Sequence, residues 1–65
     1  MFAERLKELR LENNLTQHSL AKACGFSQAA IARWEAGLQT PNIDVLVILC
    51  NYFKVTSDYL LGLEE

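Results

Sequence analysis

The sequence predicts an all-α fold, a compact arrangement of five helices in which helices two and three form a helix-turn-helix. Three observations carry this reading. Apolar residues recur at helical spacing in five successive segments, capping residues (Thr16, Ser27, Asn42, Thr56) stand immediately ahead of four of them, and no segment reads as a strand. Sixty-five residues make one domain over 1–65, near the size at which a chain buries only about 60% of its unfolded surface. A composition of 51% hydrophobic and 22% charged residues excludes a disordered or low-complexity segment.

In the first segment Phe2, Leu6 and Leu9 fall at i, i+4 and i+7 on one helical face, with Glu4, Arg5, Lys7, Glu8 and Glu12 elsewhere, so helix one is expected over about Phe2 to Asn13. Asn13-Asn14 supplies residues that tolerate the left-handed conformation, and Leu15 folds back on the apolar face. Thr16 caps a second helix that opens at Gln17, faces inward through Leu20, Ala21 and Cys24, and stops at Gly25. Ser27 caps a third, about Gln28 to Ala36, with Ile31 and Trp34 inward; Gln28, Ala29, Ala32 and Arg33 are left outside, and Gly37 ends it. After the connector Leu38-Gln39-Thr40-Pro41, Asn42 caps a fourth helix with a core face of Ile43, Leu46, Leu49, Cys50 and Phe53, closed by Val55. Thr56 caps a last short helix with Asp58 in its first turn and Leu60 and Leu61 near its end, and Gly62 terminates it, leaving Glu64-Glu65 to fray.

Several function classes fall away on composition. Cys24 and Cys50 sit in apolar periodic segments and read as buried free thiols, which fits a reducing, cytoplasmic compartment. His18 has no cysteine or acidic cluster at ligand spacing, so no metal site and no cofactor is expected. No apolar run approaches the ~18 residues of a membrane span, and no basic-then-apolar leader opens the chain. Trp34 stands at core spacing, so it reads as packing and not as part of a small-molecule site. Glu35 has no acid, base or nucleophile at a useful spacing, and no enzyme is expected. The formal charge of −2 is unusual for a nucleic-acid binder, but it is unevenly placed: residues 1–33 carry five basic and three acidic side chains, residues 34–65 one and five.

Function begins to show between Thr16 and Ile31. Two short helices crossing steeply need a small residue at the crossing, a glycine-type turn and a branched apolar plug in the second helix. Ala21, Gly25 and Ile31 supply these in order. With Leu15-Thr16-Gln17, Leu20-Ala21, Gly25-Phe26-Ser27-Gln28, Ile31, Trp34-Glu35-Ala36-Gly37 and Pro41 in register, preceded by Arg10 and followed by Leu46, Leu49 and Val55, the chain closely resembles the Cro and phage-repressor (XRE-type) family over nearly its whole length.

The resemblance implies a transcription regulator that binds double-stranded DNA with its third helix, N-terminus first, in the major groove. Gln28 is then placed to pair with adenine, Ala29 and Ala30 to offer a methyl to thymine, and Arg33 to reach guanine or a phosphate. Gln17 is expected at a phosphate, fixing register, with Ser27 as cap and phosphate donor and Thr40 and Asn42 beside the same backbone. The resemblance also pairs Arg10 with Glu35 as a structural ion pair. Where relatives often carry polar or basic residues, this chain has Ala36 and Leu38, which predicts weak binding per monomer and a need for dimerisation. Val45, Ile48, Tyr52, Leu61 and Leu63 are the candidate patch for a homodimer; the other reading is that they thicken a small core. The competing function is a protein-interaction module on the same fold, such as an antitoxin or regulator-binding subunit.

Overall fold

Four of the five helices begin alike: a Thr, Ser or Asn side-chain oxygen accepts the backbone N–H three residues on, satisfying a donor that the first helical turn leaves without a partner. Thr16 accepts from Ser19, Ser27 from Ala30, Asn42 from Val45 and Thr56 from Tyr59, at 2.9–3.1 Å. Thr16 closes a full capping box, because Ser19 Oγ accepts the Thr16 backbone N–H in return at 2.8 Å. The computed structural model describes residues 1–64 and contains α1 (Phe2–Glu12), α2 (Gln17–Cys24), α3 (Gln28–Glu35), α4 (Ile43–Phe53) and α5 (Ser57–Leu60).

Each helix contributes one completely buried side chain, Leu6, Leu20, Ile31, Leu49 and Leu60 in chain order, and Leu9, Ala21 and Trp34 complete the core. Phe2, Leu15, Phe26, Leu46, Phe53 and Tyr59 pack around it, and Phe26 meets Trp34 edge to face with ring centroids 5.1 Å apart. Arg5 lies 4.3 Å over the Tyr59 ring and donates to the Glu64 carbonyl, which fastens α1 to the end of the chain.

The structure corrects the sequence reading at several points. α1 ends at Glu12, one residue short of the expected bound, with Asn13 as its cap, while Asn14 (φ 57°) supplies the left-handed turn expected of the Asn13-Asn14 pair. α3 ends at Glu35, with Ala36 as its cap. Ile43 is not in the core but 77% exposed. At 100° per residue it lies about 120° around α4 from Leu49, off the flank that the core covers. Cys24 and Cys50 are free but only half-buried, at the rim of the core, and that burial pushes both thiols above their ordinary pKa. Glu65, assigned with Glu64 to a frayed end, lies outside the described residues.

Two turns with opposite chemistry give a matched prediction. Gly25 ends α2 at φ 80°, and Phe26 N–H donates back to the Ala21 carbonyl at 2.8 Å; a Cβ there meets nothing within 4 Å, so the penalty for a side chain is purely conformational. Lys54 ends α4 at φ 58°, the same left-handed region without glycine's freedom. Gly25→Ala is expected to cost about 1–2 kcal/mol and Lys54→Gly to gain about 0.5–1 kcal/mol, both read by chemical denaturation.

Candidate nucleic-acid interface

The α2–turn–α3 unit is held from behind by one polar cluster. Arg10, 8% exposed, reaches from α1 and donates from Nε to Glu35 Oε2 at 2.6 Å and from a terminal nitrogen to Glu35 Oε1 at 3.0 Å. Its other terminal nitrogen donates to the Leu15 carbonyl at 2.8 Å, in the turn before α2. Gln17 adds a third donor to Glu35, at 3.2 Å. The hydrogen bond donated to Glu35 favours the charged guanidinium and raises the Arg10 pKa further. Among the described residues no buried side-chain polar atom lacks a partner. The pair therefore ties α1, the start of α2 and the end of α3 into one rigid body.

That body presents α3 outward along one face. Gln28, Ala29, Arg33 and Ala36 are exposed, with Ala32 half-buried between them, while Ile31 and Trp34 anchor the opposite face in the core. Ala30 is turned inward against the core, so of the two alanines considered for a thymine contact only Ala29 faces out. Between Gln28 at its N-terminal end and Arg33 further along, the face carries only alanine side chains, which add little bulk there.

Four residues are expected from the sequence at the DNA backbone: Gln17, Ser27, Thr40 and Asn42. Ser27 accepts from Ala30 at its cap, which leaves its hydroxyl proton available outward. Asn42 likewise uses its carbonyl oxygen to cap α4, and its amide nitrogen remains as a donor. Thr40 is exposed in the connector between α3 and α4. Gln17 is half-buried because its amide is engaged with Glu35, beside the amides at the N-terminus of α2. Three of the chain's six basic side chains, Arg5, Arg10 and Arg33, make internal contacts.

Two features were not read from the sequence. Arg33 Nε donates to Gln39 Oε1 at 2.9 Å, so the connector touches the outward face of α3. The available signal was Gly37, since a left-handed stop returns the next residues over the last helical turn. The second is an apolar groove lined by Ile43, Leu46, Val47, Cys50, Asn51 and Ser57, on the flank of α4. Of the candidate dimer patch, Ile48, Tyr52 and Leu63 are exposed (40, 41 and 73%), Leu61 is half-buried, and Val45 packs against the core.

Comparison with known proteins places this geometry. The helix-turn-helix family model matches residues 6–60. The chain is 44% identical over 64 residues to the HTH-type transcriptional activator BcrR of Enterococcus faecalis, covering 98% of this chain and 31% of that protein. It is 37% identical to YobD, an uncharacterised HTH-type transcriptional regulator of Bacillus subtilis, over its full length and 58% of YobD. It therefore spans between a third and three fifths of these relatives. Among solved structures it superposes on the P22 c2 repressor in complex with a synthetic operator with a TM-score of 0.86 and 32% identity, covering 92% of this chain and 91% of that one. The arrangement of α2, Gly25 and α3, the core that supports it and the match over residues 6–60 make this chain a member of the helix-turn-helix family of the Cro and phage-repressor type.

Proposed function

We propose that this chain binds double-stranded DNA in a sequence-specific manner as a transcription regulator, with α3 in the major groove, and that it carries out no enzymatic chemistry. The observation that carries the reading is the outward face of α3, with Gln28 and Arg33 exposed on a helix locked from behind by the Arg10–Glu35 pair. Rigid presentation matters because ordering mobile groups is charged against affinity. In this reading Gln28 pairs with adenine N6 and N7, Ala29 contacts a thymine methyl, and Arg33 reads guanine. Gln17, Ser27, Thr40 and Asn42 fix register on phosphates. The P22 c2 repressor, solved in complex with a synthetic operator, supports the same partner class.

The reading includes a homodimer on a two-fold-symmetric site. Few cations line the interface, so a single copy neutralises few phosphates, and a second half-site supplies the remainder. The exposed Ile48, Tyr52 and Leu63 form the proposed seam, with Leu61 and Val45 at its inner edge. Ile48→Glu is expected to shift sedimentation to a monomer and to weaken DNA binding while leaving the far-UV dichroism unchanged.

The second reading, a protein-interaction module, is favoured by the apolar groove beside Ile43 and Val47, which are 77 and 51% exposed. Titration of labelled random duplex at increasing salt separates the two. DNA binding predicts retention at low salt with log K falling linearly against log salt. No retention at any salt favours the protein partner.

A further inference from the structure

We propose that Gln39 is a positioning residue that holds the Arg33 guanidinium in the orientation used for base readout, an inference that rests on the DNA-binding reading above. The two side chains belong to different elements, and the backbone brings them together. Gly37, at φ 74°, donates its N–H to the Trp34 carbonyl at 3.2 Å, and Leu38 N–H donates to the Arg33 carbonyl at 3.0 Å. This pair of bonds is the left-handed helix stop that folds the chain back over the turn it has just left. The residue two positions after the glycine is thereby delivered to Arg33, and Gln39 Oε1 accepts the Arg33 Nε–H at 2.9 Å.

The chemistry of that bond decides what it can do. An arginine has five N–H donors in a planar fork, and engagement at Nε leaves both terminal nitrogens open. Those terminal nitrogens are the pair that meets guanine O6 and N7 end-on. The neighbours of Arg33 on the outward face, Ala29, Ala32 and Ala36, carry no polar atom beyond the backbone, so they offer the guanidinium no hydrogen bond. An exposed arginine otherwise samples many rotamers and loses that freedom on binding. Ordering one such side chain in advance corresponds to about 2- to 10-fold in affinity for each half-site. Gln39 also caps no helix and lies outside the core, so its removal leaves the fold's supports in place.

The test combines a measurement on the free protein with one on DNA. In the free chain, the Arg33 Nε–H is expected to show a positive heteronuclear NOE that collapses in Gln39→Ala, with the melting temperature unchanged. On the tightest duplex selected by the parent chain, Gln39→Ala is expected to weaken binding by about 2- to 10-fold per half-site and leave affinity for random duplex unchanged. In an Arg33→Ala background the same substitution is expected to do nothing further. Unchanged or tighter specific binding by Gln39→Ala, or an equal loss in the Arg33→Ala background, would overturn the positioning role while leaving DNA readout standing. A parent chain with no preference among duplexes would overturn the readout reading and this inference with it.

Discussion

Glu35→Ala is expected to lower stability by about 3–5 kcal/mol, because it leaves the Arg10 guanidinium buried without its carboxylate. For a domain of this size the loss corresponds to a fall in Tm of roughly 12–40 °C. A total stability of about 3–10 kcal/mol for 65 residues means that the loss takes from about a third to all of it. The substitution removes more than an ion pair, since Glu35 also accepts from Gln17 at the start of α2. The double replacement Arg10→Met with Glu35→Leu is expected to recover most of the loss, because it takes both charges out of the interior together. Thermal melts of the three proteins check this. A change below about 1 kcal/mol in Glu35→Ala would mean that the pair behaves as a solvated surface bridge and does not hold α3 against α1.

The second large effect is expected on DNA. A bidentate glutamine–adenine contact contributes about 1–3 kcal/mol of discrimination. On a two-fold site both copies lose it, so Gln28→Ala is expected to weaken specific binding by about 30-fold to more than 10⁴-fold. Affinity for random duplex, which is set by phosphates, is expected to change little. Gln28 is exposed at the first position of α3 and supplies no cap, a role that belongs to Ser27, so the fold is expected to tolerate the change. Anisotropy titrations on the preferred and on scrambled duplexes separate the two affinities.

What was legible in the sequence was local. A cap is one side chain meeting a backbone amide three residues on, so Thr16, Ser27, Asn42 and Thr56 mark their helices without reference to the rest of the chain. Gly25 is equally local, since its left-handed conformation is a property of one residue. The outward face of α3 followed from inward Ile31 and Trp34, and Gln28, Ala29 and Arg33 do lie exposed on it. The misses depend on what packs where. Ile43 continues the apolar period of α4, but which part of that stripe is covered depends on the neighbouring helices, and they cover the flank of Leu46, Leu49 and Phe53. Lys54 takes a conformation that its side chain does not advertise. The Gln39–Arg33 bond needs the turn at Gly37 to exist first, and no spacing rule along one helix contains it. The net charge of −2 is no guide to a partner, because total charge says nothing of which groups face one.

The most direct test of the account is selection from a random duplex library at low and at moderate salt, with the parent chain and with Gln28→Ala and Arg33→Ala. Enrichment of one two-fold-symmetric site by the parent, lost in both variants, is expected. No enrichment at either salt, or the same enriched site in all three proteins, would contradict base readout through α3.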